Sequence, residues 1–162
     1  MTDKKFTHIN ESGRPRMVDV GEKGDTKREA IAGGYVYLHQ DTIEMIKAGQ
    51  LKKGDVLNVA QTAGIMGAKK TSEIIPMCHV LMLTGVDLEF KIEENNCRIY
   101  IEATVTTTGK TGVEMEALNA VSTAALTIYD MCKSVDKDII IKEIKLYKKT
   151  GGKSGEYRRN KS

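Results

Sequence analysis

The sequence predicts an α+β fold in which helices pack on one face of an antiparallel sheet. Three observations carry this. Residues 86–92 and 98–106 are strand-like runs joined by the turn-prone pair Asn95-Asn96. Residues 113–133 place Leu118, Val121, Ala125, Ile128 and Cys132 at three- and four-residue spacing, an apolar stripe along one long helix. Residues 139–147 form a last strand-like run.

The remaining elements follow in order. Residues 1–33 read as an irregular N-terminal arm punctuated by Gly13, Pro15, Gly21, Gly24 and Gly33, with one helical turn near residues 27–32. Residues 35–38 form a short strand. Asp41 caps a helix that runs to about Lys47 and stops at Gly49. The loop Leu51-Lys52-Lys53-Gly54 leads to Asp55, a good N-cap. The next helix carries Val56, Val59, Ala60, Ala63 and Met66 on one side. Gly64 and Gly67 inside it each cost about 1 kcal/mol against Ala, so another backbone is expected to pack closely there. Pro76 lies beyond its end, and residues 150–162 read as a basic, Gly-rich tail. The order β-α-α-β-β-α-β points to a ferredoxin-like layout in a single domain over residues 1–162.

Composition narrows the class. At 162 residues the chain can bury a core without metal or disulfide staples. A hydrophobic share of 40% with 29% charged residues is that of a soluble globular protein. No run approaches the ~18 apolar residues of a membrane span, and residues 1–5 lead into no apolar run, so neither a membrane segment nor a signal peptide is expected. The three cysteines, Cys78, Cys97 and Cys132, are odd in number and show no C-x-x-C spacing, which argues against a disulfide framework or structural zinc and for reduced thiols in the cytoplasm. A net charge of +3 is too small to argue for nucleic acid. Lys145, Lys148, Lys149, Lys153, Arg158, Arg159 and Lys161 do crowd the C-terminus, a run that reads equally well as a solvated tail.

Several side chains are candidates for chemistry. On the long helix, Glu116, Asn119, Thr123, Thr127 and Asp130 face away from the apolar stripe; they are too short and too poor in helix propensity for an ordinary solvated face, so a second subunit or a substrate is expected to cover them. Asp130 and Lys133 are helical neighbours, either a plain surface ion pair or a coupled pair whose lysine is tuned for proton transfer. Thr111 and Glu114 fit a capping box, which leaves Glu116 as the carboxylate with no structural role in the sequence. Gly109-Lys110-Thr111 looks like the end of a phosphate-binding loop, but Thr104 stands where that pattern needs glycine. Residues 149–155, with Gly151, Gly152 and two lysines, fit an anion-binding loop or a flexible tail. Cys78-His79 follows Pro76 at an element boundary; His79 could hydrogen-bond or move protons, though the sequence offers no partner to orient it. No second histidine lies near it, and no metal site is assigned.

Read together, these strings resemble the cyclic pyranopterin monophosphate synthase family of molybdenum cofactor biosynthesis (protein C). The likeness runs through Thr7-His8-Ile9-Asn10, Met17-Val18-Asp19-Val20, Lys53-Gly54-Asp55-Val56, Ala63-Gly64-Ile65, Ala68-Lys69-Lys70-Thr71, Ile75-Pro76-Met77-Cys78-His79, residues 108–118, residues 124–133 and Ser154-Gly155. It implies conversion of a cyclised dihydroguanosine triphosphate to cyclic pyranopterin monophosphate with release of pyrophosphate. It also implies a lyase built as a homohexamer, a trimer of dimers, with the active site at a subunit interface and no cofactor, nucleic acid or membrane partner. By position Asp130, Lys133 and Lys53 match catalytic residues. Met77, Cys78, His79, Met115, Glu116 and Glu114 match substrate-contacting segments, and Lys69, Lys70, Lys149 and Lys153 match basic positions suited to a triphosphate. A lysine of lowered pKa, Lys53 or Lys133, would move protons while Asp130 orients Lys133. One departure is Val80, where the family usually has proline after the histidine; it is expected to loosen the turn that presents His79. The rival reading is a non-catalytic ferredoxin-like nucleotide- or RNA-binding module, which needs aromatics on the central strands. Aromatic content is 5%, and residues 98–106 offer only Tyr100.

Overall fold

The computed structural model describes residues 8–153 and 155–160. Residues 1–5, Thr7, Ser154 and Lys161, which enter the sequence reading, lie outside them. The elements run β1 (Thr26–Tyr37), α1 (Gln40–Lys47), α2 (Val56–Lys69), α3 (Thr71–Ile74), β2 (Leu83–Glu93), β3 (Arg98–Gly109), α4 (Glu114–Cys132), β4 (Ile140–Thr150) and β5 (Tyr157–Arg158). The strands form one antiparallel sheet in the order β2-β3-β1-β4-β5. The expected α+β architecture is therefore present.

The central strand is where the sequence reading fails. β1 starts at Thr26, not at residue 35, so the irregular arm ends eight residues earlier than residue 33 and the expected helical turn at 27–32 is strand. Lys27, Arg28, Glu29, Ala30 and Ala32 favour helix locally, but β1 is paired along its length with β3 and from Glu29 onward with β4, and the two ladders override that preference. Alternation is present once the strand is known: Arg28, Ala30, Ala32, Gly34 and Val36 are buried against the helices. The glycine pair that read as a break is a packing requirement. A Cβ on Gly33 would lie 2.6 Å from the Tyr100 hydroxyl and 2.7 Å from a Tyr147 ring carbon; one on Gly34 would lie 2.9 Å from Ile144 and 3.2 Å from Val121 of α4.

The core lies between the sheet and the helix pair α2/α4. Ile99, Ile101, Ala103 and Val105 alternate inward from β3, and Val121, Ala125, Ile128 and Cys132 of α4 are buried as expected. A second buried line on α4, Ala117, Ala120 and Ala124, faces α2. On α2 the buried residues are Val56, Ala60, Gly64, Gly67 and Ala68, so the expected stripe is out of phase: Val59 and Met66 are exposed. The glycine side is the inner side. A Cβ on Gly64 would sit 3.0 Å from the Ala120 carbonyl, and one on Gly67 would sit 2.4 Å from Thr123 Oγ1 and 3.2 Å from the Asn119 carbonyl. Asn119 Nδ2 donates to the Gly67 carbonyl (2.7 Å) and to Thr71 Oγ1 (3.2 Å). The polar helix face assigned to a partner or substrate is thus covered by α2 of the same chain, at Asn119 and Thr123. Leu126, 61% exposed, marks the side of α4 that faces outward.

Two helix starts also differ. Asp55 caps α2 as expected, accepting from Leu57 and Asn58 N–H. The N-cap of α1 is His39, not Asp41, and Asp136 serves it from the α4–β4 connection, accepting from His39 N–H (2.8 Å) and Thr42 Oγ1 (3.2 Å). The expected capping box on α4 is absent: its N-cap is Val113, and Glu114 instead pairs with Lys149 Nζ at 3.3 Å. On the sheet face away from the helices, Tyr35, Tyr100 and Tyr147 cluster with centroids 5.0 and 6.4 Å apart, and the Arg98 guanidinium lies 4.1 Å above Tyr35.

Gly67→Ala should lower stability by about 1–2 kcal/mol in urea unfolding, because overpacking against Thr123 outweighs the gain in helix propensity. Adding Thr123→Ala should recover part of that loss; a neutral or stabilising Gly67→Ala would mean that the two helices are free to move apart.

Candidate active site

Chemistry-bearing residues collect at the two ends of α4. At its N-terminal end lies a cavity of about 390 Å³ lined by Met77, Cys78, His79, Glu114, Met115 and Glu116, all six substrate-contact candidates, together with Thr111, Gly112 and residues His8, Val18, Val20 and Lys23 of the arm. The arm is held there by two long-range contacts. His79 Nε2 lies 2.7 Å from the Val18 carbonyl, which can only accept, so Nε2 carries the proton. Lys110 Nζ donates to the Gly21 carbonyl at 2.6 Å. The orienting partner of His79 that the sequence did not reveal is thus a main-chain oxygen 61 residues upstream. Val80, 87% exposed, follows it.

Glu116 is the unusual group. Only 4% exposed, it makes no ion pair among the described residues, and its carboxyl accepts from its own main-chain N–H. Burial pushes its carboxyl up to about 7; its own main-chain N–H opposes the shift and the neighbouring Glu114 adds to it. Cys78 is also raised, first by burial and then by Glu116, so it rests as a thiol.

A second cavity of about 580 Å³ shares Lys23 with the first and is lined by Glu22, Gly24, Thr26, Arg28, Gly152 and Lys153. Arg28, 8% exposed, organises it: Nε donates to the Gly109 carbonyl (2.8 Å) and Nη2 to the Lys110 carbonyl (3.0 Å). Gly151 and Gly152, at φ 93° and 76°, fold onto Arg28, and a Cβ on Gly152 would lie 2.3 Å from its guanidinium. These glycines serve a close approach, but to an arginine. Neither Arg28 nor Lys23 was singled out in the sequence, because both fell within the stretch read as irregular arm. Lys153 lines this cavity, Lys149 pairs with Glu114, and Lys70 at the C-terminal end of α2 pairs with Glu73 at 3.7 Å. Lys69 is exposed at the same end of α2 and lines neither cavity.

At the C-terminal end of α4, Asp130 holds two lysines. Lys133 Nζ is 2.6 Å from Oδ1; Lys53 Nζ is 2.9 Å from Oδ2 and donates to the Asp130 carbonyl at 2.7 Å. The three predicted catalytic residues are therefore together, brought there by the loop before α2. Hydrogen bonds from Lys133 and then Lys53 hold the Asp130 carboxyl down to about 2. The same contact raises the Lys133 ammonium, opposite to the lowered lysine the sequence reading wanted. All three groups are solvent-exposed, so nothing in the single chain desolvates them. Among the described residues no group of three His, Cys, Asp or Glu side chains is arranged to hold a metal, and no helix is long and apolar enough to cross a membrane.

The Glu116 environment has a consequence for stability. Its folded carboxyl binds a proton more tightly than the unfolded one, whose ordinary value is 4.5, so the folded state holds more protons between those values and stability falls as pH rises through the window up to about 7. Glu116→Gln abolishes that titration. Its stability relative to wild type should improve by about 2 kcal/mol between pH 5 and pH 8 in urea unfolding, whereas a constant difference would mean that Glu116 ionises normally.

A model of the MoaC family matches residues 17–152. The chain is 64% identical over 155 residues to the cyclic pyranopterin monophosphate synthase of Peptoclostridium acidaminophilum, covering 96% of this chain and 98% of that protein. It is 61% identical over 154 residues to the protein of the same name from Thermoanaerobacter pseudethanolicus (95% and 98%) and 59% identical over 154 residues to that from Clostridium acetobutylicum (95% and 96%). With identity of this order along nearly its whole length, the chain belongs to the MoaC family.

Proposed function

We propose that this protein is a cyclic pyranopterin monophosphate synthase, a lyase of molybdenum cofactor biosynthesis that converts a cyclised dihydroguanosine triphosphate to cyclic pyranopterin monophosphate and pyrophosphate. The observation that carries the reading is the family membership, joined to a site that has a part for each element of such a substrate. The α4 N-terminal cavity offers carboxyl and imidazole groups for a heterocycle. The adjoining cavity offers Lys23, Arg28 and Lys153 for phosphates. The aspartate with its two lysines offers proton donors.

The active site is composed of two chains. Glu116 and Asp130 are 14 residues apart on one helix, about 21 Å at 1.5 Å per residue, and no reacting atom can be within hydrogen-bond reach of both. A two-fold arrangement places the lysine cluster of one chain over the cavity of the other and forms two sites per pair. Assembly of such pairs into a hexamer, the ferredoxin-like layout, the single-domain organisation and a cytoplasmic location belong to the same reading; the strand order supports the layout, and the free thiols fit the location.

In this site Lys133 and Lys53 enter as ammonium ions. They balance phosphate charge, and Lys133, aligned by Asp130, donates a proton as the ring system opens and the cyclic phosphate closes. His79 keeps the arm over the cavity through Val18, while Glu114, Glu116, Met115, Met77 and Cys78 enclose the ring. Lys149 reaches this end through Glu114. The rival RNA-binding reading gains two tyrosines beside Tyr100, but the cations there, Lys91, Arg98 and Lys145, are paired with Glu93 and Glu143 beside Glu102, which leaves no net positive charge for a phosphate backbone.

The test is pyrophosphate release from the cyclised dihydroguanosine triphosphate. Lys53→Ala, Lys133→Ala and Asp130→Ala should each reduce turnover by about 10²–10⁴-fold while remaining folded. Co-expressing Asp130→Ala chains with Glu116→Gln chains should restore about a quarter of wild-type turnover, since half of random pairs are mixed and each mixed pair holds one intact site of two. Inactive mixtures would place both groups in a site within one chain.

A further inference from the structure

Gly109-Lys110-Thr111 lies just before α4 and looks like the end of a phosphate-binding loop, yet Lys110 lines neither cavity. Its ammonium is committed elsewhere: Nζ donates to the Gly21 carbonyl of the arm, 89 residues upstream, at 2.6 Å. The base from which it reaches is fixed, because the buried Arg28 guanidinium holds the Gly109 and Lys110 carbonyls at 2.8 and 3.0 Å. The stretch it reaches is held far less. Residues 21–25 are exposed and precede the first strand. Among the described residues, Gly21 N–H donates to Asp19 Oδ1 (2.7 Å) and Lys23 N–H to the Val20 carbonyl (3.0 Å), both within the arm itself. The ties from this turn to the body are His79 at Val18 and Lys110 at Gly21. Residues 19–23 therefore form a small self-bonded turn, placed at its start by His79 and at its far side by Lys110.

That turn ends on Lys23, the residue common to both cavities. Resting on the function proposed above, we infer that Lys110 is a positioning residue of the reaction: it latches the arm so that the Lys23 ammonium stands at the junction of the ring cavity and the phosphate cavity. A lysine on an unlatched, exposed stretch would have to be ordered by each incoming substrate, and the freedom lost at that moment would weaken binding. Latching the arm in advance removes that loss. An ammonium suits the task, since a main-chain carbonyl can only accept and a charged donor holds it more strongly than a neutral one. Lys110 thus acts on phosphate through Lys23 and touches no substrate atom itself.

The experiment pairs the pyrophosphate-release assay with tryptic cleavage of the native protein, read by mass spectrometry at the Lys23-Gly24 bond. Lys110→Met keeps a long side chain and removes the donor. It should raise KM about tenfold and alter kcat by less than about twofold, the mark of lost uniform binding. It should also speed cleavage after Lys23 by about tenfold, as the turn leaves the body more often. Lys110→Arg, which keeps a charged donor, should return both readouts to near the wild-type values. Adding Lys110→Met to Lys23→Met should cost nothing beyond Lys23→Met alone, since the latch then has no lysine to place. An unchanged unfolding transition verifies the fold of each variant. Unchanged cleavage in Lys110→Met, a fall in kcat at constant KM, or a further loss in the double variant overturns the inference and leaves the function standing. Wild type that releases no pyrophosphate overturns the functional reading and the inference with it.

Discussion

The close approach of α2 and α4 is the constraint on which the remaining structure depends. It is made possible by two glycines on α2 and by alanines and Thr123 on α4, and it presses a 19-residue helix flat between its neighbour and the sheet. A helix held along two sides cannot pivot, so its ends are fixed in space. Both functional clusters hang from those ends. The buried Asp136 pins the chain leaving α4 to the start of α1, and Asn119 ties the middle of α4 to the end of α2. Small residues were needed here for geometry, not for propensity. That explains why two glycines sit in a helix at a local cost of about 1 kcal/mol each.

The walls of the cavities are held by contacts of a different kind. Arg28, His79 and Lys110 each reach across the sequence to main-chain carbonyls, and apart from Gly109, the last residue of β3, those carbonyls belong to segments with no regular structure of their own. A carbonyl oxygen accepts whatever side chain follows it, so such ties constrain the donor and leave the tied loop free to vary in sequence. Arg28 is the densest of these nodes: it fixes the strand-to-helix loop after β3 and gives the Gly151-Gly152 turn something to fold against. The start of the basic tail, Gly152 and Lys153, therefore lines a wall, while residues 155–160 are exposed.

What was legible in the sequence follows from whether the determining interaction is local. The hairpin of β2 and β3, the apolar stripe of α4, the Asp55 cap and the closeness at Gly64 and Gly67 are written in spacings of two to four residues, and each is present. The first half of β1 was not legible, because residues that favour helix are paired on both sides by strands over 60 residues away. The missing capping box has the same origin: Glu114 prefers Lys149 on β4 to its own helix start. In the site, the six cavity residues and the Asp130 cluster were named from motif strings, while Arg28 and Lys23 were hidden by the misread strand. The covering of the polar face by α2 could not be read at all, since periodicity says that a face is covered and not by what.

The electrostatics of the two ends of α4 are opposite in kind, and that opposition is an argument for their meeting. Asp130 shares one exposed carboxylate between two ammonium groups, a cluster with a net positive charge and ordinary access to water. At the other end a buried, neutral glutamic acid lies beside a carboxylate already paired with lysine. Neither environment alone suits a polyanionic heterocycle. The first would bind phosphate but screen every proton transfer with solvent; the second would enclose a ring beside Glu116 and His79 but set only Lys23 against phosphate charge. In the two-chain site proposed above, closing one over the other would remove water from the lysines just where negative charge must be balanced. That loss of hydration would work against the pull of Asp130 that raises the Lys133 ammonium in the single chain. The lysine tuned for proton transfer, which the isolated chain does not contain, is in this view a property of the assembled pair.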